Sequence, residues 1–100
     1  MLFRPDGIVT THPLSWEGDD LEVNVNAVDG DLRVEILDIE GHVMGGYAKE
    51  DCVPIHTDDI RYPVAWKGGA GLAALLGKII KLRFYLTFAK LYAFQFRTKA

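Results

Sequence analysis

The chain has 100 residues, 49% hydrophobic and 25% charged, the balance of one small globular domain over residues 1–100 and not of a disordered or fibrous chain. No apolar run approaches the roughly 20 residues of a helical membrane span, Arg4, Pro5 and Asp6 follow Met1 too soon for a signal peptide, and the single cysteine, Cys52, excludes an internal disulfide. The net charge of −3 hides a segregation: residues 1–60 carry all 14 acids with three bases, and residues 61–100 carry eight bases and no acid. A basic tail raises nucleic acid or an acidic membrane as partners. Here the bases alternate with apolar residues, so the two halves are expected to interdigitate in one sheet system, with neither nucleic acid nor membrane as partner. The compartment stays undetermined.

The dominant hydrophobic period is two. Short strands are expected at 7–11 and 13–17, followed by a fully alternating one at 21–27, with Leu21, Val23, Val25 and Ala27 on one face and Glu22, Asn24 and Asn26 on the other. After the turn residues Asp29 and Gly30, Leu32, Val34 and Ile36 repeat the pattern, with Arg33 and Glu35 outward. Weaker strands are read at 42–49 and 62–67. The glycine-fenced segment 72–76 is expected to form one helical turn. Two more strands close the chain. In the first, Ile80, Leu82, Phe84 and Leu86 point inward against Lys81, Arg83 and Tyr85; in the second, Tyr92, Phe94 and Phe96 point inward. About eight short strands with Gly, Asp and Pro punctuation predict an antiparallel two-sheet β-sandwich, wound as a jelly roll.

Few residues carry chemistry. Trp16 and Trp66 could stack on a sugar, but they share parity with Leu14 and Val64 and are expected in the core, with the Trp66 indole N–H on an internal acceptor. Tyr85 has outward parity with Arg83. Beside Asn24, Asn26, Arg33 and Glu35 it would make a glycan-binding patch, provided those strands share a sheet. A second outward set, Ile79, Tyr85, Phe88 and Leu91, is apolar for a surface meant to face water and predicts an interface, either on another domain or as a homodimer. Calcium could draw oxygens from Asp19-Asp20, from Asp29 with Asp31, or from Glu50-Asp51 with Asp58-Asp59, but none has the spacing of a recognised loop. Cys52 and His56, even with His12 and His42, make a thin zinc set, and no cofactor or metal is expected. Ser15 is the lone serine and lies in no nucleophile elbow, and Gly68-Gly69-Ala70-Gly71 lacks the ending of a phosphate loop. No catalytic set is expected.

The order of fragments adds a resemblance. Asp6-Gly7-Ile8-Val9, Pro13-Leu14-Ser15-Trp16-Glu17-Gly18, residues 21–27 and Leu32-Arg33-Val34-Glu35-Ile36-Leu37-Asp38 make up the first half. Glu50-Asp51-Cys52-Val53-Pro54-Ile55, Val64-Ala65-Trp66-Lys67-Gly68-Gly69, Leu82-Arg83-Phe84-Tyr85-Leu86 and Leu91-Tyr92-Ala93-Phe94 make up the second. In this order they resemble the C-terminal β-sandwich module that follows β-propeller domains in bacterial proteins related to glycoside hydrolase families 32 and 43. The chain departs from that pattern where Thr11 runs directly into His12-Pro13, and at Phe88-Ala89-Lys90, where an acidic residue is usual. The resemblance implies a non-catalytic accessory module packing on a propeller, or a module that binds carbohydrate directly. It assigns no active-site residues.

Overall fold

Alternating strands with apolar residues on one face can bury that face only against a second sheet, and the chain does so. A computed structural model describes residues 7–18, 20–67 and 72–97. It contains strands β1 (Gly7–Thr10), β2 (Leu14–Ser15), β3 (Asp20–Asn26), β4 (Asp31–Leu37), β5 (Asp58–Pro63), β6 (Ile79–Thr87) and β7 (Lys90–Arg97), with one 3₁₀ turn at Leu72–Leu75. Two antiparallel sheets form. In the first, β6 is central, β4 lies along one edge, and β1 and β2 lie end to end along the other. In the second, β3 is central between β5 and β7. The fold is therefore an all-β sandwich. The jelly-roll winding is not established by the seven strands of the described residues.

Leu21, Val23 and Val25, Leu32, Val34 and Ile36, and Leu82, Phe84 and Leu86 meet in one core, as their parity predicts. Trp16 joins them fully buried, its indole N–H donating to the Gly18 carbonyl at 2.7 Å. Phe84 stacks obliquely on Phe94 across the two sheets, with ring centres 5.3 Å apart.

Four sequence expectations are corrected. Residues 42–49 form turns with a single bridge, Val43 to Leu37, and no strand; with two adjacent glycines and one β-branched residue, the segment has little to hold a ladder. The strand expected at 62–67 begins earlier, at Asp58, and ends at Pro63, since proline cannot donate to a ladder. The turn at Asp29 and Gly30 does not close a hairpin: β3 and β4 lie in different sheets, so it is a crossover. Finally, Tyr92 is not in the inward row. Asn24 pairs with Ala93 and Val25 with Leu91, so Tyr92 is the extra residue of a β-bulge and turns outward, and Leu91 turns inward to zero exposure. Leu91 is thereby removed from the expected interface. Phe94 and Phe96, beyond the bulge, pack against the core as expected.

The outer edge of β4 is closed in an unusual way. Leu32 exchanges both backbone hydrogen bonds with Ile55, and Ile36 bonds Tyr47 and Met44. Between them, the Val34 N–H donates to the Cys52 sulfur at 3.4 Å, and the Val34 carbonyl accepts from the Trp66 indole at 3.0 Å. Two side chains thus complete a ladder that the irregular segment 42–57 supplies only at its ends. Trp66 is thus in the core with its indole N–H on an internal acceptor, as expected, and Cys52 is fully buried.

Candidate functional site

The candidate site grows from the outward parity of β1, β6 and β4. Antiparallel register puts Ile8, Tyr85 and Arg33 in one row across the first sheet, and Thr10, Arg83 and Glu35 in the next. Four of the six residues expected in a glycan-binding patch, Tyr85, Arg83, Arg33 and Glu35, are therefore neighbours. The other two, Asn24 and Asn26, lie on β3 in the opposite sheet and are corrected out of this patch. Parity gives the face of a strand, but not the sheet that the strand joins.

Glu35 organises the second row. Its Oε1 accepts from the Tyr85 hydroxyl at 2.5 Å and from Arg83 Nη1 at 3.2 Å, and its Oε2 accepts from the Lys49 backbone N–H at 3.3 Å. Arg83 also donates through Nε to the Thr10 hydroxyl at 3.2 Å. The Glu35 carboxylate is consequently buried at 4% exposure and fully engaged. Burial, followed by the Glu35 hydrogen bond, pushes the Tyr85 hydroxyl above its ordinary pKa.

The first row is less committed. Lys49 arches over the sheet and sets its ammonium 4.4 Å from the centre of the Tyr85 ring. Arg33 Nε lies 3.8 Å from Asp31 Oδ2, an ion pair too long for a hydrogen bond. A depression of ≈ 380 Å³ opens here, lined by Ile8, Asp31, Arg33, Lys49, Tyr85 and Thr87. Lys49 was not legible as a site residue, because segment 42–49 reads as a strand and its fold over the sheet follows from no period. Ile8 and Asp31 could have been found from strand register alone.

The second sheet carries a parallel arrangement on its own outer face. Glu22, 4% exposed, accepts from Gln95 Nε2 and Arg97 Nη1, both at 3.1 Å. The Arg97 hydrogen bond is the main cause that holds the Glu22 carboxyl below its ordinary pKa. Bulges in β5 and β7 fall at the level of Asn24 and open a smaller depression of ≈ 170 Å³ lined by Asn24, Ile60, Arg61, Ala93 and Gln95.

The expected apolar interface is not one surface. Ile79 and Phe88 are exposed, but they sit at the two ends of β6, and Tyr85 between them is engaged with Glu35. The metal candidates divide similarly. The Cys52, His56, His12 and His42 set, thin in the sequence, does not come together among the described residues: burial raises the Cys52 thiol above its ordinary pKa, and His56 Nδ1 lies 2.7 Å from the Gly30 carbonyl. Asp19 lies outside the described residues. Among the described residues one group of three possible ligands does come together, Asp38, Glu40 and His42, on an exposed loop. Asp38 Oδ1 there accepts the backbone N–H groups of Glu40 and His42 at 2.9 Å each, so this carboxylate already closes the loop.

Comparison with known proteins returns no match among family models, curated proteins or solved structures.

Proposed function

We propose that this chain is a non-catalytic accessory β-sandwich module of a carbohydrate-active protein, built to pack on a propeller domain. The observation that carries the reading is where the chemical groups go. Each buried carboxylate, Glu22 and Glu35, is held by an arginine and a second side chain from the neighbouring strand, and the buried thiol closes a strand edge. The fold uses these groups itself. The resemblance of the fragments to the module that trails propellers supports the same reading, and so does the sandwich end where the two crossovers meet. There Val28 and Phe88 stand exposed at 61% and 67%, apolar side chains suited to docking. The test is the coding sequence around the chain, followed by separate expression and co-purification of any propeller it encodes. A propeller that holds this chain, and releases it on Phe88→Asp, is the expected result. A reading frame with no such domain overturns the proposal.

A second reading, direct carbohydrate binding, is favoured by the depression beside Tyr85, which joins an aromatic, an apolar side chain and polar groups in one place. Titration of the chain with polysaccharides, followed by amide chemical shifts, tests it. Shifts confined to 8–10, 31–35, 83–87 and the neighbourhood of Lys49 are expected, and an unchanged spectrum across neutral and acidic polymers rejects this reading.

A further inference from the structure

The geometry points to an acidic sugar, a hexuronate-bearing oligosaccharide, as the ligand of the depression on the first sheet; the inference rests on the carbohydrate-binding reading and narrows it. Sugar-binding surfaces use an aromatic ring face to stack on the C–H face of a pyranose, and here that ring already has a cation over it. Lys49 Nζ stands 4.4 Å from the Tyr85 ring centre, within the range of a cation–π contact. A neutral sugar must displace the ammonium to reach the ring. A sugar carrying a carboxylate leaves the ammonium in place and pairs with it.

The neighbouring arginine agrees. Tyr85 and Arg33 are directly opposite in the register of β6 and β4, and both line the depression with Lys49. Its Nε is turned toward Asp31 at 3.8 Å, and its guanidinium makes no hydrogen bond within the described residues. A planar fork of this kind matches a carboxylate with two parallel N–H donors. Arg83 is less suited, because its Nη1 is held by Glu35 and its Nε by Thr10. Asp31 opposes an anion, and it also limits the site: two cations against one acid leave room for a single carboxylate and not for a densely charged polymer. Ile8, 64% exposed in the same row, offers the apolar contact for the sugar ring.

The test is calorimetric titration of the full chain with oligogalacturonate, with the same oligosaccharide fully methyl-esterified, and with heparin, in low and moderate salt. Binding to the acid at low salt is expected, weakened at least tenfold by esterification and at least tenfold by either Arg33→Gln or Lys49→Met, with near-ultraviolet circular dichroism showing both variants folded. Equal binding of acid and ester overturns the acidic-sugar assignment while leaving the carbohydrate reading intact. No binding of either overturns both. Acid binding that survives the folded double variant overturns the location, and heparin binding of equal strength shows a nonspecific polyanion effect and overturns the assignment.

Discussion

Trp66 and Gly30 show how single residues close this fold where regular pairing stops. The Val34 carbonyl lies inside the sandwich edge, with the Trp66 indole N–H as its partner at 3.0 Å. Replacing Trp66 by Phe keeps a ring but removes the donor, leaving a buried carbonyl unpaired at a cost of about 1–3 kcal/mol, to which lost ring area adds. Urea denaturation with unchanged slope should register the loss as a lower midpoint. Gly30 is constrained by space. A Cβ at this position would lie 1.7 Å from the Thr87 carbonyl oxygen and 2.9 Å from the Phe88 Cβ, because the β3–β4 crossover passes directly against the β6–β7 crossover. Gly30→Ala must push backbone against backbone, and destabilisation of about 3 kcal/mol is expected. A melting temperature equal to the parent's would show that the two crossovers are not in contact. The sequence marked Gly30 only as a turn residue. Its need for closeness to Thr87, 57 positions away, has no local signal.

At the scale of elements, what was legible followed the clarity of the alternation. The inward faces of β3, β4 and β6 are those the period of two predicts, because a one-residue slip would have exposed every apolar side chain in them. In β7 the same reasoning succeeds at Phe94 and Phe96 and fails at Leu91 and Tyr92, since a bulge shifts parity without changing composition. The patch on the first sheet was legible to the extent that its members lay on β4 and β6, whereas Asn24 and Asn26 were lost when the β3–β4 link proved to be a crossover. The β6–β7 crossover is itself unusual. Phe88 has φ = 46°, in the left-handed region that β-carbons disfavour, and its side chain is exposed. Strain of about 1–3 kcal/mol exceeds the roughly 0.5–1 kcal/mol that glycine loses through a looser unfolded chain, so Phe88→Gly should stabilise the isolated chain by about 1 kcal/mol. Calorimetry decides it. A rise in melting temperature separates the role of Phe88 from stability and favours docking; a fall shows that the ring packs within this chain.

Seen as a whole, the molecule turns its segregated charge into cross-links between its halves. Glu22 and Glu35 come from the acidic first sixty residues, and their partners Arg97 and Arg83 from the basic last forty. Because hydrogen bonding to Arg97 lowers the folded pKa of Glu22, its contribution is present above the ordinary glutamate value and is lost as pH falls through the folded one. The urea midpoint should therefore decline below about pH 4.5, and Glu22→Gln should flatten part of that decline. The same arrangement makes the last quarter of the chain indispensable. β1, β2 and β4 each pair with β6 and not with one another, and β7 holds the remaining edge of β3. Of the strand pairs, a chain ending at Gly77 would keep only β3–β5, with the isolated bridges along β4, and a two-stranded ribbon is marginal in water. It would also lose Phe84, Leu82 and Ile80 from the centre of the core. Such a truncation should show neither a cooperative thermal transition nor near-ultraviolet circular dichroism, and adding residues 78–100 as a separate peptide should restore both in proportion to its concentration. A cooperative transition in the truncated chain alone would mean that the first seventy-seven residues have a core of their own, and that β6 joins a sheet already formed instead of creating it.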